Sequence, residues 1–450
     1  MPDELLALGA LGPNGEYHTR STELISDTAG VPVAELSVVP RLFVIRAIAA
    51  QRTVAPLPFA QRLAALERAA ELFATATIAG LDFTTYVELT QRISGLPMEV
   101  ARTGAHVVAE ALATTQDAIR PARPVGAACT WRTVGPEGGA LWSRRGDVLG
   151  VLAPGNAPGV HGLWPQALAL GYRVAVRPSR REPLTAHRLV HALRQAGFRN
   201  EDVQYLPTDH AGADELVAAA DLAMVYGGQD VADRYAADPT VLVNGPGRTK
   251  ILVTAEQDWR AHLDQLVDSI SSLGGMACVN ATAVLYEGDP TELADAIAAR
   301  LARLDDDALP TAPLASAHAL AEYLARRALG TVPVLGADQV VDQRGDGRAV
   351  LRPAVHRLTT LDVDTINVEL PFPCVWVAPW TRRDGTKPLR NTLVLNAITD
   401  DAELIDALAD EPSVVNLYVG RHVTRLAAAH LPHEGFLADF LMRNKGFLRS

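Results

Sequence analysis

Cysteine is scarce in this chain, which has only Cys129, Cys278 and Cys374 in 450 residues. A sparse and odd number of cysteines argues against a disulfide framework and is typical of a reducing compartment. We therefore expect a cytoplasmic protein. No CxxC pair and no Cys/His cluster has the spacing of metal ligands, so the sequence predicts no metal-binding residues.

Basic charge and long apolar runs are also missing. The formal net charge is −11, from 41 basic and 52 acidic side chains, which argues against a nucleic-acid surface. No apolar run reaches the roughly 18 residues of a membrane span. The start of the chain, Met1–Glu4, lacks the basic residues of a signal peptide. With 48% hydrophobic and 21% charged residues, the composition is that of a globular protein with a large core.

The first part of the chain divides into three stretches. Residues 1–57 give no clear pattern, and the part up to residue 40 is expected to form an arm or an irregular cap. From Pro58 to about Gln116, apolar residues recur every three or four positions and predict a helical layer. Prolines and glycines interrupt residues 120–150, which favours a protruding hairpin or a linker.

From Asp147 onward, short apolar strands alternate with helices, which is typical of a parallel, doubly wound sheet. The predicted strands are Val148–Ala153, Val174–Arg177, Val203–Leu206 and Asp221–Tyr226. The predicted helices are His161–Leu170, Pro183–Ala196, Ala213–Ala220 and one beginning at Gln229. Such sheets bind ligands at the carboxyl ends of their strands.

A second α/β unit follows. Its predicted strands are Ile251–Val253, Thr282–Tyr286, Val332–Leu335, Val375–Ala378 and Leu393–Asn396. Its predicted helices are His262–Ser272, Thr291–Leu304 and Glu403–Ala409.

Two residues carry the clearest chemical signal. Cys278 follows a Gly-Gly pair, and a thiolate in such a turn can attack a carbonyl carbon. Asn156 lies in a turn framed by Pro154 and Pro158, where its amide can donate to an oxyanion without titrating. The alternatives are a buried structural cysteine and an asparagine that only forms a turn.

Other residues suit a phosphate or a ribose. Arg177, Ser179 and Arg180 follow a predicted strand, where basic groups suit a phosphate, although a solvated turn is equally consistent. Gly227-Gly228 precedes a helix, but the full GxGxxG fingerprint is absent. Glu369 precedes a proline-rich loop and is a candidate to hold ribose hydroxyls, although most such glutamates are surface charges.

Taken in order, these segments resemble the aldehyde dehydrogenase superfamily over residues 60–430. The turn Pro154–Pro158 resembles P-W-N-F-P, and Arg177–Ser179 with Pro183–Ala186 is similar to K-P-S followed by P-L-T-A. Gly275–Cys278 resembles G-Q-x-C, and Glu369–Pro373 resembles E-I-F-G-P. Val225–Ala232 is similar to the F-T-G-S-T-x-x-G segment of the family.

The resemblance implies an α/β fold with a Rossmann-type cofactor domain, a second α/β catalytic domain and a β-hairpin arm for oligomerisation. The cofactor domain would comprise residues 1–119 and 141–245, and the catalytic domain residues 246–430. Residues 120–140 and 431–450 would form the arm and a tail. We expect a homodimer or a homotetramer, joined partly by apolar residues of the tail such as Leu437 and Leu441.

The resemblance to the family also implies a role for each candidate site residue. Cys278 would be the nucleophile, with Asn156 and its own backbone N–H as oxyanion donors. Arg177, Ser179, Arg180, Gly227, Gly228 and Glu369 would bind the dinucleotide cofactor. Ala157, His161 and Trp164 would face the substrate, with Ala157 in place of a large phenylalanine.

Two departures from the family pattern refine the prediction. Hydrolytic members carry a glutamate base in an E-L-G-G-K segment, whereas Val243–Lys250 has no acid here. That loss is similar to the acylating branch, whose members reduce acyl thioesters. Arg180 stands where NAD-preferring members often have glutamate, which favours NADP(H) over NAD(H).

The sequence therefore predicts an NAD(P)-dependent enzyme that interconverts an acyl thioester and an aldehyde through a thioester and a thiohemiacetal on Cys278. The acyl donor would be acyl-CoA or a carrier-bound acyl group. One alternative is a hydrolytic aldehyde dehydrogenase that releases a free acid. Another is a catalytically silent member of the fold.

Overall fold

The computed structural model describes residues 5–449 and contains two large sheets. The first has seven strands. In spatial order they are Val241–Asn244, Leu222–Tyr226, Val148–Leu152, Arg173–Arg177, Val203–Tyr205, Ala10–Gly12 and Gly15–Tyr17. The first five are parallel, Ala10–Gly12 runs antiparallel to them, and Gly15–Tyr17 runs antiparallel to Ala10–Gly12. The parallel strands are apolar along most of their length because helices cover both faces.

The helices around the first sheet include the predicted helical layer. They are Arg41–Arg52, Phe59–Thr75, Phe83–Ser94, Met98–Ala113, Thr115–Ile119, Gln166–Leu170, Leu184–Gln195, His210–Ala219 and Gln229–Tyr235. In Phe59–Thr75, the buried residues Leu66, Ala69, Ala70 and Phe73 recur at helical spacing and face the core. The recurrence of apolar residues every three or four positions thus predicted the helical layer correctly.

The second sheet also has seven strands. In spatial order they are Val332–Leu335, Ala354–Arg357, Cys374–Pro379, Ala281–Tyr286, Thr249–Val253, Thr392–Ile398 and Val414–Val419. Only Val332–Leu335 runs antiparallel to its neighbour. The accompanying helices are Leu263–Ser271, Thr291–Leu301, Leu314–Arg327, Val363–Ile366 and Ala402–Ala409. The predicted α/β fold with two units is confirmed.

Among the described residues, the other strands form two small sheets and a two-stranded arm. One small sheet contains Leu6–Leu8, Pro32–Ser37 and Thr22–Ser26, and the other contains Thr311–Pro313, Arg348–Leu351 and Val341–Gln343. Residues 1–40 therefore hold regular strands where an arm or an irregular cap was expected, with Met1–Glu4 outside the described residues. The described helices include none with the length and apolarity of a membrane span.

The predicted helix His161–Leu170 is confirmed only in its second half, Gln166–Leu170. A 3-10 turn spans Pro158–Gly162, and the α-helix begins only at Gln166. Pro165 explains the break, because a proline inside a helix removes an amide donor and its ring clashes with the preceding turn.

The arm differs from the predicted hairpin within residues 120–140. Its strands are Gly139–Arg144 and Met442–Phe447, paired antiparallel, so they come from distant parts of the chain. The short helix Leu437–Leu441 precedes the second strand, and Leu437 and Leu441 are buried in the core of the first unit. These two tail residues thus pack within their own chain.

Candidate active site

A cavity of about 790 Å³ lies where the two large sheets meet. Residues that follow the carboxyl ends of first-sheet strands form one side of the cavity. Residues at the amino ends of second-sheet strands form the other side. The lining includes Asn156, Gly227, Gly228, Gly245, Pro246, Arg248, Met276, Cys278, Asn367, Glu369 and Cys374. The structure thus gathers the predicted nucleophile, its predicted amide donor and three predicted cofactor residues around one space.

Close contact between two loops fixes Cys278. A Cβ atom on Gly247 would lie 1.8 Å from the carbonyl oxygen of Cys278, so only glycine allows the two backbones to approach this closely. The Thr249 hydroxyl donates to the same oxygen at 2.8 Å. The carbonyl of Gly247 in turn accepts from the amide of Leu393, at 2.8 Å, in a central strand. The cysteine turn is therefore attached to the rigid sheet.

Asn156 reaches the cysteine turn from the opposite side. Its Nδ2 donates to the carbonyl of Met276 at 3.5 Å, a long bond that leaves the amide free to turn toward a substrate oxygen. Asn280 holds the turn from within, because its Oδ1 accepts from Ala277 N at 2.9 Å and its Nδ2 donates to Ser272 O at 2.7 Å. Asn156 is thus aimed at the loop that carries the sulfur.

The surroundings of Cys278 oppose the thiolate. Burial raises the pKa of the Cys278 thiol to about 12, and the Glu434 and Glu369 carboxylates add to the rise. The backbone N–H groups of Cys278 and Val279 limit it. The same two N–H groups are suited to an oxyanion that forms beside the sulfur.

A histidine that the sequence reasoning missed contacts the thiol. His433 Nε2 lies 3.7 Å from Cys278 Sγ, and the two residues are 155 positions apart in the chain. Burial lowers the pKa of His433, so the imidazole is neutral at pH 7 and can accept a proton. The carbonyl of His433 accepts from the Asn416 amide, which anchors this loop to the edge strand Val414–Val419.

Glu434 was missed as well. Burial raises the pKa of its carboxyl to about 8, and its charge raises the pKa of both Cys278 and Tyr226. The Glu434 Oε2 atom and the Tyr226 hydroxyl are buried without a hydrogen-bond partner. The predicted tail from residue 431 therefore contributes to the site. The only signal in the sequence was an adjacent His-Glu pair in a turn, which alone indicates nothing.

Glu369 and Arg248 line the far wall of the cavity, and Lys250 is buried behind them. Burial raises the pKa of Glu369 to about 7, while the backbone N–H groups and charge of Arg248 limit the rise. Burial and Arg248 lower the pKa of Lys250 to about 7. The Lys250 ammonium donates to Thr392 Oγ1 at 2.7 Å and to the Arg248 carbonyl at 2.9 Å, so it supports the loop from behind.

The remaining predicted cofactor residues lie at the next strand end. Ala153 N donates to Arg177 O at 2.9 Å, which places their turn beside that of Asn156. Arg177 Nε donates to Thr208 O at 3.4 Å, and Arg180 forms an ion pair with Glu23 at 2.7 Å. The Glu369 carboxylate and these guanidinium groups suit the two ends of a dinucleotide.

The residues predicted to face the substrate are placed elsewhere. His161 and Trp164 are both 0% exposed, and Trp164 Nε1 donates to His161 Nδ1 at 3.4 Å. Ala157 is half-buried and packs on the same core. None of the three lines the cavity that holds Cys278. Their contact with a substrate stays a prediction.

Comparisons with known proteins agree with this arrangement. A sequence model of the "Aldehyde dehydrogenase family" matches residues 40–438. Among curated protein sequences, none matches the chain.

Solved structures of aldehyde dehydrogenases share the fold. The aldehyde dehydrogenase KauB from Pseudomonas aeruginosa is 16% identical with a TM-score of 0.83, covering 99% of this chain and 97% of its own. An indole-3-acetaldehyde dehydrogenase bound to NAD+ is 17% identical with a TM-score of 0.82, with the same coverages of 99% and 97%. Aldehyde dehydrogenase 21 from Physcomitrella patens, bound to succinate, is 16% identical with a TM-score of 0.80, covering 99% and 98%.

The family model matches most of the chain, and the fold is that of solved aldehyde dehydrogenases. The chain therefore belongs to the aldehyde dehydrogenase family, whose members are NAD(P)-dependent oxidoreductases.

Proposed function

We propose that this protein interconverts an acyl thioester and an aldehyde on Cys278, using NAD(P)H. One observation carries the proposal: the loop that packs on Cys278, Gly245–Arg248, has no carboxylate where hydrolytic relatives carry a base. Without a base, water is a poor nucleophile toward an acyl-enzyme. A thiol ionises far more easily than water, so CoA or a carrier-bound thiol is the better acceptor.

His433 is proposed to activate the nucleophile. Because burial raises the pKa of the Cys278 thiol to about 12, the thiol is essentially un-ionised at pH 7 without help. The neutral imidazole is 3.7 Å from Sγ and accepts the thiol proton as the sulfur attacks the acyl carbon. Asn156 and the Cys278 N–H hold the oxyanion that forms.

The protonated His433 then gives its proton to the departing carrier thiolate, which leaves an acyl group on Cys278. When bound, NAD(P)H would supply the hydride that reduces this group. Cys278 holds the resulting thiohemiacetal anion, which collapses to the aldehyde and a thiolate. A solvent proton restores the thiol, and the same steps in reverse convert an aldehyde into a thioester.

Thiol dependence tests the proposal. We expect rapid aldehyde oxidation by NAD(P)⁺ only when CoA or another thiol is present, with a thioester as the product identified by mass spectrometry. Cys278→Ser should abolish turnover while dinucleotide binding, measured by fluorescence titration, is retained. Free acid formed at full rate without any thiol would refute the thioester assignment.

A second candidate function is acid formation, and Glu434 favours it. Its carboxylate is near the sulfur and can take the role of the missing base toward water. Because burial raises the pKa of Glu434 to about 8, its carboxyl is mostly protonated at pH 7. Water activation would therefore be weak near neutrality, which is why thiol transfer is the primary proposal.

The acid-forming route has a distinct pH profile. Since only the ionised Glu434 can accept a proton, thiol-independent acid production should rise as the pH increases through about 8. Glu434→Gln should lower that rate by about 10²–10⁴-fold and remove the rise. Rates of acid release are measured from pH 6 to 9.5 with and without CoA. An unchanged profile in Glu434→Gln would exclude this residue as the base.

The role of His433 is tested by thiol reactivity. His433→Gln removes the proton acceptor but keeps a side chain of similar size, so alkylation of Cys278 by iodoacetamide at pH 7 should slow by about 10²-fold or more. The adduct at Cys278 is followed by peptide mass spectrometry, with Cys129 as an exposed internal control. Equal rates at Cys278 in both proteins would contradict the role.

The cofactor preference is proposed to be NADP(H). Burial lowers the pKa of Arg177 and the nearby charge of Arg180 lowers it further, so the turn brings two guanidinium groups close together. A 2′-phosphate suits such a turn. The ion pair between Arg180 and Glu23 opposes the preference, because the phosphate must compete with the carboxylate.

Two substitutions separate these effects. Glu23→Gln should tighten NADP⁺ binding several-fold and leave NAD⁺ binding nearly unchanged, because only the phosphate competes with this carboxylate. Arg180→Glu should weaken NADP⁺ binding by about 10-fold or more. Dissociation constants for both dinucleotides are measured by calorimetry. Parallel changes for the two cofactors would disprove a 2′-phosphate site.

The protein is also proposed to assemble as a homodimer or a homotetramer. The two-stranded arm supports this, because its strand Met442–Phe447 has one edge without a partner among the described residues, whereas Ala128 bridges the second edge of Gly139–Arg144. Unpaired strand edges favour pairing with another chain.

A further inference from the structure

We propose that the first unit carries a binding site for a divalent transition metal ion, formed by Glu16, His187 and His191. One ligand atom from each of these side chains lies within 4.8 Å of the others. None of the three lines the cavity that holds Cys278. The site is therefore separate from the one proposed for the reaction.

The two histidines form the fixed half of the site. They are four residues apart on the helix Leu184–Gln195, so they lie on the same face, and their ring centroids are 4.5 Å apart. His187 is 3% exposed, and it packs against Tyr205 with ring centroids 5.1 Å apart. This packing holds the ring in place.

The histidine nitrogens lack partners. The Nε2 atoms of both His187 and His191 are buried and make no hydrogen bond. A buried polar atom without a partner costs free energy, and two of them side by side on a helix require an explanation. A metal ion bound to both nitrogens would satisfy them together.

The carboxylate of the proposed site comes from the hairpin at the edge of the first large sheet. Glu16 lies in the strand Gly15–Tyr17, and a Cβ atom on Gly9 would be only 2.6 Å from Glu16 Oε1. Glycine at position 9 therefore leaves the space into which the Glu16 side chain folds. His18 Nε2 lies 3.3 Å from the same oxygen, where it can orient the carboxylate or add a fourth ligand.

The ligand set identifies the class of metal. Two imidazole nitrogens and one carboxylate oxygen suit Zn²⁺, and also Co²⁺ or Ni²⁺, whereas Mg²⁺ and Ca²⁺ prefer oxygen ligands alone. Arg194 is the nearby cation, and it donates to the carbonyls of Leu11, Gly12, Asn200 and Val203. Such a metal would clamp the hairpin onto the helix.

The test uses the full-length chain in the Cys278→Ser background, so that the sulfur beside His433 cannot bind the metal. The protein is stripped with a chelator, dialysed against Zn²⁺, and analysed for bound zinc by mass spectrometry. We expect one zinc per chain and a thermal midpoint raised by roughly 2–5 °C at saturating zinc. Co²⁺ should give the visible absorption of a low-symmetry site.

Matched variants locate the ion. Glu16→Gln and His191→Gln should each lower zinc affinity by about 10-fold or more, whereas His210→Gln, which changes an exposed histidine of the same unit, should not. Glu16 is exposed, so its variant should keep the fold, as checked by circular dichroism, and it decides the outcome if His191→Gln misfolds. Absence of bound zinc in the parent, or equal binding by the parent and Glu16→Gln, would overturn the proposal.

Discussion

The contact between Gly247 and the backbone of Cys278 is the constraint on which the site depends. A side chain at position 247 would overlap the Cys278 carbonyl, 1.8 Å from where its Cβ would lie. This contact joins the strand leaving the first sheet to the turn before a strand of the second. It places the sulfur opposite Asn156 and brings the loop without a carboxylate directly over the reaction centre.

That geometry concentrates acidic groups around one thiol. Glu369 and Glu434 are both buried near Cys278, and their charges add to the cost of a thiolate. The pKa values of the two carboxyls rise to about 7 and about 8, so neither is fully ionised at neutral pH. Arg248 and Lys250 offset part of the negative charge at Glu369. The imidazole of His433 lies 3.7 Å from the sulfur and is the proton acceptor that we propose for this environment.

Prediction from the sequence succeeded where the pattern was local. The strands around Val148–Leu152 and Arg173–Arg177 are continuous apolar runs, which buried parallel strands require. Prediction failed where one residue interrupted the pattern or where a partner strand was distant in the chain. Apolar residues from His161 to Leu170 have helical spacing, but Pro165 prevents one continuous helix. The predicted hairpin within residues 120–140 was wrong because the second strand of the arm, Met442–Phe447, comes from the far end of the chain.

The sequence by itself determined the α/β alternation, the family and the identity of the candidate nucleophile, because each depends on spacing within a short stretch. Only the tertiary structure brought His433 and Glu434 to Cys278, and Glu16 to His187 and His191. The first grouping depends on loops that are far apart in the chain and meet where the two sheets pack. The second depends on an edge strand of the first sheet that packs beside a helix of the same unit. No periodicity encodes such contacts, since residue type shows what a side chain can do, whereas packing decides which partners it meets.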